Sequence, residues 1–252
     1  MRYFIKLQYI GTHFHGWQSQ PHDITVQEEI ERALKIYFKE EVSITGCGRT
    51  DSGVHASGYY AHVDLELDNK ADFLKKINHI LHQDIVINDI IEVGDESHAR
   101  FDAFYRAYCY KVRFEKNPFL RNLHYYYPYS KKPSVTLLQR SAELIKEGTD
   151  FEGFSKVGTD VNHHRCEIYD CYWKEVDSGL EFHISANRFL RGMVRLLVGA
   201  SINFGLSKIS EQEFKEVLDS GKKPKLSWSV PAHGLRLTEV RYPFLDVMDS
   251  KK

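Results

Sequence analysis

The chain has 252 residues, of which 42% are hydrophobic, 13% aromatic and 27% charged, and its formal net charge is −1. This composition supports a sizeable core and excludes an intrinsically disordered chain. No stretch approaches the roughly 18 uninterrupted apolar residues of a membrane span, and charges interrupt the first apolar run, unlike a signal peptide. A nearly neutral chain has no global positive field, so a polyanionic partner would need a local basic patch.

Four cysteines predict a reducing, cytoplasmic location rather than a disulfide scaffold, because they are sparse and form no C-x-x-C pair. They are Cys47, Cys109, Cys166 and Cys171. With His163 and His164, the last two could in principle bind zinc, but their spacing does not match the common structural zinc sites. We therefore expect Cys166 and Cys171 to pack as small apolar residues of one strand.

The first hundred residues predict alternating strands and helices. Residues 1–10 alternate as a half-buried strand with Tyr3, Ile5, Leu7 and Tyr9 on one face. Thr25–Glu28 matches a capping box that opens a helix with apolar residues to Phe38. The remaining predicted elements are a short strand at Val42 and Ile44, a glycine-rich loop at 46–53, a strand at 59–65, a helix around 73–81 and a strand at 85–93.

The second part of the chain also predicts alternating strands and helices. In order, it predicts a strand at 108–114, a helix around 138–145, a hairpin of strands 166–176 and 180–185, a helix from about Asn187 to Phe204 and a short helix at 211–218. Strands interleaved with helices and closed by hairpins predict an α+β (mixed α/β) fold with helices packed on one side. We expect two domains, residues 1–100 and 101–252.

The glycine-rich loop is the most unusual stretch, and it carries Arg49 and Asp51. Its sequence is Gly46-Cys-Gly48-Arg49-Thr50-Asp51-Ser52-Gly53-Val54-His55-Ala56. It fails as a dinucleotide fingerprint, because the third glycine is replaced by Asp51 and a strand follows, and it lacks the lysine of a phosphate-binding P-loop. A plain β-turn and a catalytic carboxylate both remain compatible with it. Glycines would let a ligand approach Asp51 closely.

Three arginines lie at helical spacing in the predicted helix from Asn187. Arg188, Arg191 and Arg195 occupy positions i, i+3 and i+7, which would form one stripe of the helix. No acidic residue in this stretch neutralises them. A solvated helix face is the ordinary interpretation of such a stripe, but here a phosphate or carboxylate partner is favoured.

The strand that starts at Arg106 presents Tyr108 and Tyr110 on one face and Lys111 and Arg113 on the other. Aromatic stripes usually belong to a core. Tyrosine beside arginine is also how proteins stack and hold an unpaired base. Tyr108 is therefore a candidate for binding a nucleobase.

Several of these motifs together resemble the TruA family of tRNA pseudouridine synthases. The loop at 48–56 resembles the family signature, and residues 9–18 with Thr25-Val-Gln27 resemble its N-terminal block. Residues 98–101, the Tyr108 strand, 187–199 and 234–237 follow in the family's order. Departures are Ile10 in place of an aspartate, Ser52 in place of an alanine, and a divergent region at 157–166. The resemblance covers nearly the whole chain.

The resemblance implies a fold of two similar halves with mainly antiparallel sheets side by side, helices on one face and an active-site cleft between the halves. It implies isomerisation of uridine to pseudouridine at positions 38, 39 and 40 of the tRNA anticodon stem-loop, by a homodimer without metal or cofactor. Asp51 would be the nucleophile, Tyr108 would stack on the target base and Arg195 would pair with the aspartate. Arg49, Arg188 and Arg191 would bind the RNA.

Two other classes of protein share parts of this pattern. An RNA-binding protein without catalytic activity would keep the arginines and tyrosines, so only an activity measurement separates it from an enzyme. An aspartyl phosphatase would need a second carboxylate two residues after Asp51, and that position is Gly53. The phosphatase is therefore disfavoured.

Overall fold

A computed structural model describes residues 1–156, 163–224 and 226–245, and these residues form two compact units. The first contains Met1–Tyr105 and the described residues from Arg236 onward, and the second is Arg106–Leu235. The predicted α+β fold is confirmed. No helix among the described residues has the length and apolar character needed to cross a membrane. The divergent region at 157–166 lies partly outside the described residues, and the predicted domain boundary after residue 100 stays a prediction.

The elements follow one another along the chain as strands and helices in mixed order. The strands are β1 (Arg2–Tyr9), β2 (Thr45–Gly46), β3 (His55–Asp64), β4 (Ile85–Val93), β5 (Tyr105–Arg113), β6 (Tyr125–Tyr126), β7 (Ile168–Val176), β8 (Gly179–Ala186) and β9 (Leu235–Arg241). The helices are α1 (Val26–Phe38), α2 (Lys70–Ile80), α3 (Val135–Glu147), α4 (Met193–Gly205) and α5 (Glu211–Ser220).

The first unit is built on strand β1, which pairs antiparallel with both β3 and β4. The short strand β2 also pairs antiparallel with β3, and β9 pairs parallel with β3 at His55 and Ala56. Helix α1 packs on α2, and α2 packs on β4. The strand β3 therefore leads straight out of the glycine-rich loop into the centre of this sheet.

Strand β1 is half-buried, as its alternation predicted, because Lys6 and Gln8 are exposed on one face. Phe4 lies on the face predicted to be polar, yet it is fully buried. Its ring packs edge-on against Tyr242, with 4.9 Å between ring centroids, and the Tyr242 hydroxyl donates to the Ala99 carbonyl at 2.6 Å. Segments distant in the sequence thus cover the second face at Phe4, which local periodicity does not report.

The cap of α1 is confirmed, but the short strand predicted at Val42 and Ile44 lies one residue later, at Thr45–Gly46. The Thr25 hydroxyl accepts a hydrogen bond from the backbone N–H of Glu28 at 3.3 Å. The Ile44 N–H donates to the Glu31 carboxylate at 3.0 Å, and the Ile44 carbonyl accepts from the Gln27 amide at 3.2 Å. Side chains of α1 therefore bind the backbone groups that a neighbouring strand would use.

The second unit is built on β5, β8 and β7, with β8 antiparallel to both of its neighbours. Helix α3 packs on β7 and on α4. The predicted hairpin is confirmed, but its first strand begins at Ile168. Cys166 therefore lies before the strand, where its N–H donates to the Thr149 carbonyl at 3.1 Å, and both Cys166 and Cys171 are buried.

The helix predicted from Asn187 begins only at Met193. Gly192 precedes it with φ +73°, a left-handed conformation that ends any helix arriving from the N-terminal side. The Asn187 N–H donates to the Glu167 carbonyl at 3.1 Å, and the Arg191 carbonyl accepts from the Lys156 N–H at 3.0 Å. The helical spacing of apolar residues continues through residues 187–192 and predicts a helix there. The backbone of these residues instead forms hydrogen bonds with neighbouring segments, so the helix begins after them.

The His62 imidazole in the first unit predicts a loss of stability in acid. His62 is buried, and its Nδ1 accepts a hydrogen bond from the Ala99 N–H at 3.0 Å. Burial, helped by the charges of His98 and Arg2, lowers the pKa of His62 from 6.5 to about 4. The unfolded chain therefore binds the extra proton between pH 6.5 and pH 4, so stability falls as the pH falls through this window. We expect this group to remove about 2 kcal/mol of unfolding free energy between pH 7 and pH 4.5.

The measurement is urea unfolding of the wild type and His62→Gln at several pH values. The stability advantage of the wild type should shrink as the pH falls, because glutamine does not titrate. His79→Gln, at an exposed position of α2, is the control for loss of an imidazole and should follow the wild type. A pH-independent difference between the wild type and His62→Gln would contradict the assignment.

Candidate active site

The Asp51 loop is held by backbone hydrogen bonds to the loop of residues 11–17. The Trp17 N–H donates to the Thr50 carbonyl at 3.3 Å, and the Gly53 N–H donates to the Phe14 carbonyl at 3.2 Å. These bonds flank Asp51, which is half-buried. The position of the Asp51 backbone is therefore set by main-chain groups on both of its sides.

Gly16 makes this close approach of the two loops achievable. Its φ is +91°, and a Cβ atom there would lie 3.2 Å from the carbonyl carbon of Asp51 and 3.3 Å from the nitrogen of Ser52, with the Thr50 carbonyl oxygen closer still. Any other residue would have to adopt a rare conformation and push the Asp51 backbone away.

Three aromatic residues form a second support for the Asp51 loop. The Tyr9 and Thr50 hydroxyls are hydrogen-bonded at 2.9 Å, and the Tyr59 hydroxyl donates to the Gly48 carbonyl. Trp17 stacks on Tyr59 with 4.1 Å between ring centroids. The three aromatic rings are buried in the core of the first unit, while the two tyrosine hydroxyls bind the loop, as buried tyrosine hydroxyls usually find a partner.

Arg49 lies at the exposed rim of this loop. Its Nε donates to the Gln18 amide oxygen at 3.3 Å. A cavity of about 140 Å³ beside it is also lined by Trp17, Gly48 and Arg100. Two guanidinium groups at one small cavity suit an anionic ligand such as a phosphate group.

Tyr108 lies in β5 of the second unit, directly opposite Ile184 of β8. It is half-buried, and Phe189 packs perpendicular to it with 5.1 Å between ring centroids. The Arg106 guanidinium donates to the Asn187 carbonyl at 2.9 Å, which ties the segment carrying Phe189 to the same strand. The ring of Tyr108 is thus positioned by its own sheet and by a neighbouring aromatic edge.

Arg195 lies in the first turn of α4 and is half-buried. Its Nε donates to the Val230 carbonyl at 2.8 Å, so the guanidinium is oriented by the backbone that precedes β9. Burial, followed by the charge of Arg195, lowers the pKa of His233. His233 is therefore neutral at pH 7 and adds no second positive charge beside Arg195.

Arg188 and Arg191 do not share a helical stripe with Arg195, so that prediction is wrong. Both lie in the non-helical segment before Gly192. Arg188 is half-buried near Cys166: burial raises the pKa of that thiol to about 11, and the charge of Arg188 opposes the rise. Arg191 is exposed.

Two groups among the described residues bring three potential metal ligands within 4.8 Å of one another. They are Cys109, Glu181 and His183, and Asp150, Glu152 and His164. Neither group contains a predicted catalytic residue. The set of His163, His164, Cys166 and Cys171 considered from the sequence is not one of these groups in the described part of the chain.

Sequence reasoning missed two supports of the Asp51 loop. Tyr59 was predicted only as a core residue of a strand, and its hydroxyl bond to Gly48 carries no local signal. His55 is buried, and its Nδ1 accepts from the Gly11 N–H at 2.9 Å, which joins the start of β3 to the loop of residues 11–17. The glycines at 11 and 16 were the available signal, since glycine often marks a close backbone approach.

Comparison with known proteins agrees with this architecture. A family model described as tRNA pseudouridine synthase matches residues 6–102 and 147–243. The chain is 41% identical to tRNA pseudouridine synthase A of Azobacteroides pseudotrichonymphae genomovar. CFP2, over 96% of this chain and 97% of that protein. It is 38% identical to tRNA pseudouridine synthase A of Bacteroides fragilis, over 96% of both chains. It is 35% identical to tRNA pseudouridine synthase A of Bacillus subtilis, over 96% of this chain and 99% of that protein.

The fold and the two matched segments define an isomerase of the pseudouridine synthase class. More narrowly, the chain belongs to the tRNA pseudouridine synthase family. The resemblance to the TruA family inferred from the motifs is therefore confirmed.

Replacing Gly16 should destabilise the first unit. In Gly16→Ala the new methyl group meets the backbone around Asp51 at a positive φ, and we expect a loss of about 2–3 kcal/mol of unfolding free energy. Gly48→Ala is the matched control in the Asp51 loop, because its Cβ would meet nothing within 4 Å. Denaturant unfolding of both variants is the measurement. Equal stability of the two variants would contradict the packing described for Gly16.

Proposed function

We propose that the protein converts uridine to pseudouridine at positions 38, 39 and 40 of the tRNA anticodon stem-loop, with Asp51 as the nucleophile. Family membership supports the reaction class. The observation that carries the assignment of Asp51 is its half-buried position in a loop anchored on both sides to residues 11–17. A rigidly held carboxylate suits a reaction in which one group must meet one atom of a bound nucleotide.

The reaction is an isomerisation that balances without a redox partner. The bond between N1 of uracil and C1′ of ribose breaks, and a bond between C5 and C1′ forms. The proton on C5 is lost and N1 gains one. The Asp51 carboxylate would act as a covalent catalyst by attacking either the sugar or the base, and the pocket would retain the detached base until it rejoins the ribose.

Tyr108 and Arg195 would assist this chemistry from the second unit. An extruded base loses a few kcal/mol of stacking, and a tyrosine face restores about 1–3 kcal/mol of it. The guanidinium of Arg195 would pair with the Asp51 carboxylate and orient it, because hydrogen bonds between a guanidinium and a carboxylate are strong and directional. Tyr108 could also take up a proton during the rearrangement.

The remaining arginines would bind the tRNA backbone. Arg49 and Arg191 are exposed and suit phosphate contacts, and Arg188 would add a third. We further propose that the enzyme is a cytoplasmic homodimer and that its reaction uses no metal or cofactor. A homodimer with a concentrated basic surface needs no excess of positive charge over the whole chain.

Asp51→Asn should abolish isomerisation while leaving tRNA binding within a few-fold of the wild type. The amide keeps the size of the side chain but is not a nucleophile, so we expect the rate to fall by at least about 10⁴-fold. The measurement is tritium release from tRNA labelled at C5 of uracil, with filter binding of the same tRNA. Mapping the modified positions in the product tests the assignment to positions 38, 39 and 40.

The control for Asp51→Asn is Ser52→Ala, which changes the adjacent exposed residue and should keep wild-type turnover. Tritium release that survives in Asp51→Asn would remove Asp51 from the mechanism. A wild-type protein that binds several tRNAs but releases no tritium from any of them would favour the alternative, an RNA-binding protein of the same fold without catalytic activity.

Arg195→Ala and Arg191→Ala should separate catalysis from binding. Loss of Arg195 removes the partner of Asp51 in the proposed pair and leaves the carboxylate poorly placed, so we expect kcat to fall about 10²–10³-fold with a small change in KM. Loss of exposed Arg191 should raise KM, leave kcat unchanged and reduce the salt dependence of tRNA binding. If Arg195→Ala changes only KM, the proposed pairing with Asp51 is wrong.

A further inference from the structure

The sheet of the second unit carries a cluster of three metal-ligating side chains that the proposed reaction does not use. Cys109 of β5 lies directly opposite His183 of β8, and Glu181 lies two residues before His183 on the same face. The Cys109 thiol is 3.8 Å from Nε2 of His183, and a carboxylate oxygen of Glu181 is 3.0 Å from the same nitrogen. The three ligand atoms lie within 4.8 Å of one another.

The distances from His183 to the other two ligand atoms are close to those between ligand atoms around a tetrahedrally coordinated zinc ion. Zinc bonds of about 2.3 Å to sulfur and about 2.0–2.1 Å to nitrogen and oxygen imply ligand separations of roughly 3.4–3.6 Å at tetrahedral angles. The separations from Nε2 of His183 bracket these values, and the third separation, between the thiol and the carboxylate, is within 4.8 Å, so side-chain rotations would bring the three atoms around one ion. The paired strands keep the three β-carbons in place whether or not a metal is bound.

Neighbouring side chains support each of the two partly exposed ligands. Tyr172 stacks on the His183 ring, with 4.8 Å between centroids and 11° between ring planes. The Lys111 ammonium binds Oε1 of Glu181 at 2.9 Å, while Oε2 is the oxygen beside His183. Metal ligands are typically oriented by such secondary contacts.

The ligand types indicate which metal would bind, and their exposure indicates that one side of the site is open. A thiolate, an imidazole and a carboxylate suit Zn²⁺, whereas Mg²⁺ and Ca²⁺ prefer oxygen ligands alone. Cys109 is 3% exposed, but the side chains of Glu181 and His183 are 17% and 29% exposed, so the site opens to solvent on one side. We propose that Cys109, Glu181 and His183 bind one Zn²⁺ ion, with water as the fourth ligand.

The proposed ion would join β5 to β8 next to Tyr108, the residue that precedes Cys109. It would not touch the reacting atoms, because Asp51, Tyr108 and Arg195 are outside the ligand set. Its effect would be to stabilise the second unit, since a ligand that binds the folded state raises the unfolding temperature with its concentration. This inference is independent of the proposed isomerisation.

The test uses the full chain after removal of metals with a chelator. Co²⁺ is added as a spectroscopic substitute for Zn²⁺, and calorimetric titration with Zn²⁺ measures affinity and stoichiometry. We expect one ion per chain, a thiolate-to-cobalt charge-transfer band and a higher unfolding temperature with Zn²⁺. Cys109→Ser and His183→Gln should each abolish the band and weaken Zn²⁺ binding by at least about 100-fold.

The matched control is His164→Gln, which removes the histidine of the other potential metal group, Asp150, Glu152 and His164. It should keep the cobalt band and the Zn²⁺ affinity of the wild type. The unfolding temperatures of the metal-free variants show whether each still folds. The proposal would be overturned if the wild type showed no cobalt band or if the band persisted in Cys109→Ser. It would also be overturned if Zn²⁺ raised the unfolding temperature of the wild type and of Cys109→Ser equally.

Discussion

The fit between the loops at residues 11–17 and 48–55 is the constraint on which the candidate site depends. Main-chain hydrogen bonds join them, and Gly16 leaves room where any side chain would strike the backbone of Asp51. The carboxylate therefore projects from a loop whose backbone is held by main-chain hydrogen bonds. A site built in this way can tolerate changes at its rim, because the position of the acid depends on backbone geometry.

Much of the fold could be predicted because its signals are local. The cap at Thr25 and the limits of the strand at Ile85–Val93 depend on neighbouring residues, and the structure has both as predicted. The start of α4 could not be predicted from periodicity, since the apolar spacing runs through residues 187–192 without a break. Gly192 was the available indication, and it decides the outcome because its backbone is left-handed.

The candidate site also combines features that the sequence predicts with features that only the structure reveals. Asp51 could be singled out because its motif is contiguous, whereas its supports come from separate segments. Tyr59 looks like an ordinary core residue until its hydroxyl is seen to bind the Gly48 carbonyl. Likewise, the pairing of β9 with β3 cannot be predicted from either strand, because the two strands are far apart in the sequence. Tertiary pairings depend on the whole chain, and one local pattern fits several of them.

The return of β9 to the first unit has a consequence for biosynthesis. The first unit gains its parallel neighbour for β3 only from Arg236 onward, and Tyr242 then covers Phe4. During translation β1 and β3 therefore emerge well before β9 and Tyr242, and the core of the first unit is closed only after those later residues are made. Until those residues are made, the Phe4 ring would lack its contact with Tyr242, and chaperone binding would matter most in that period.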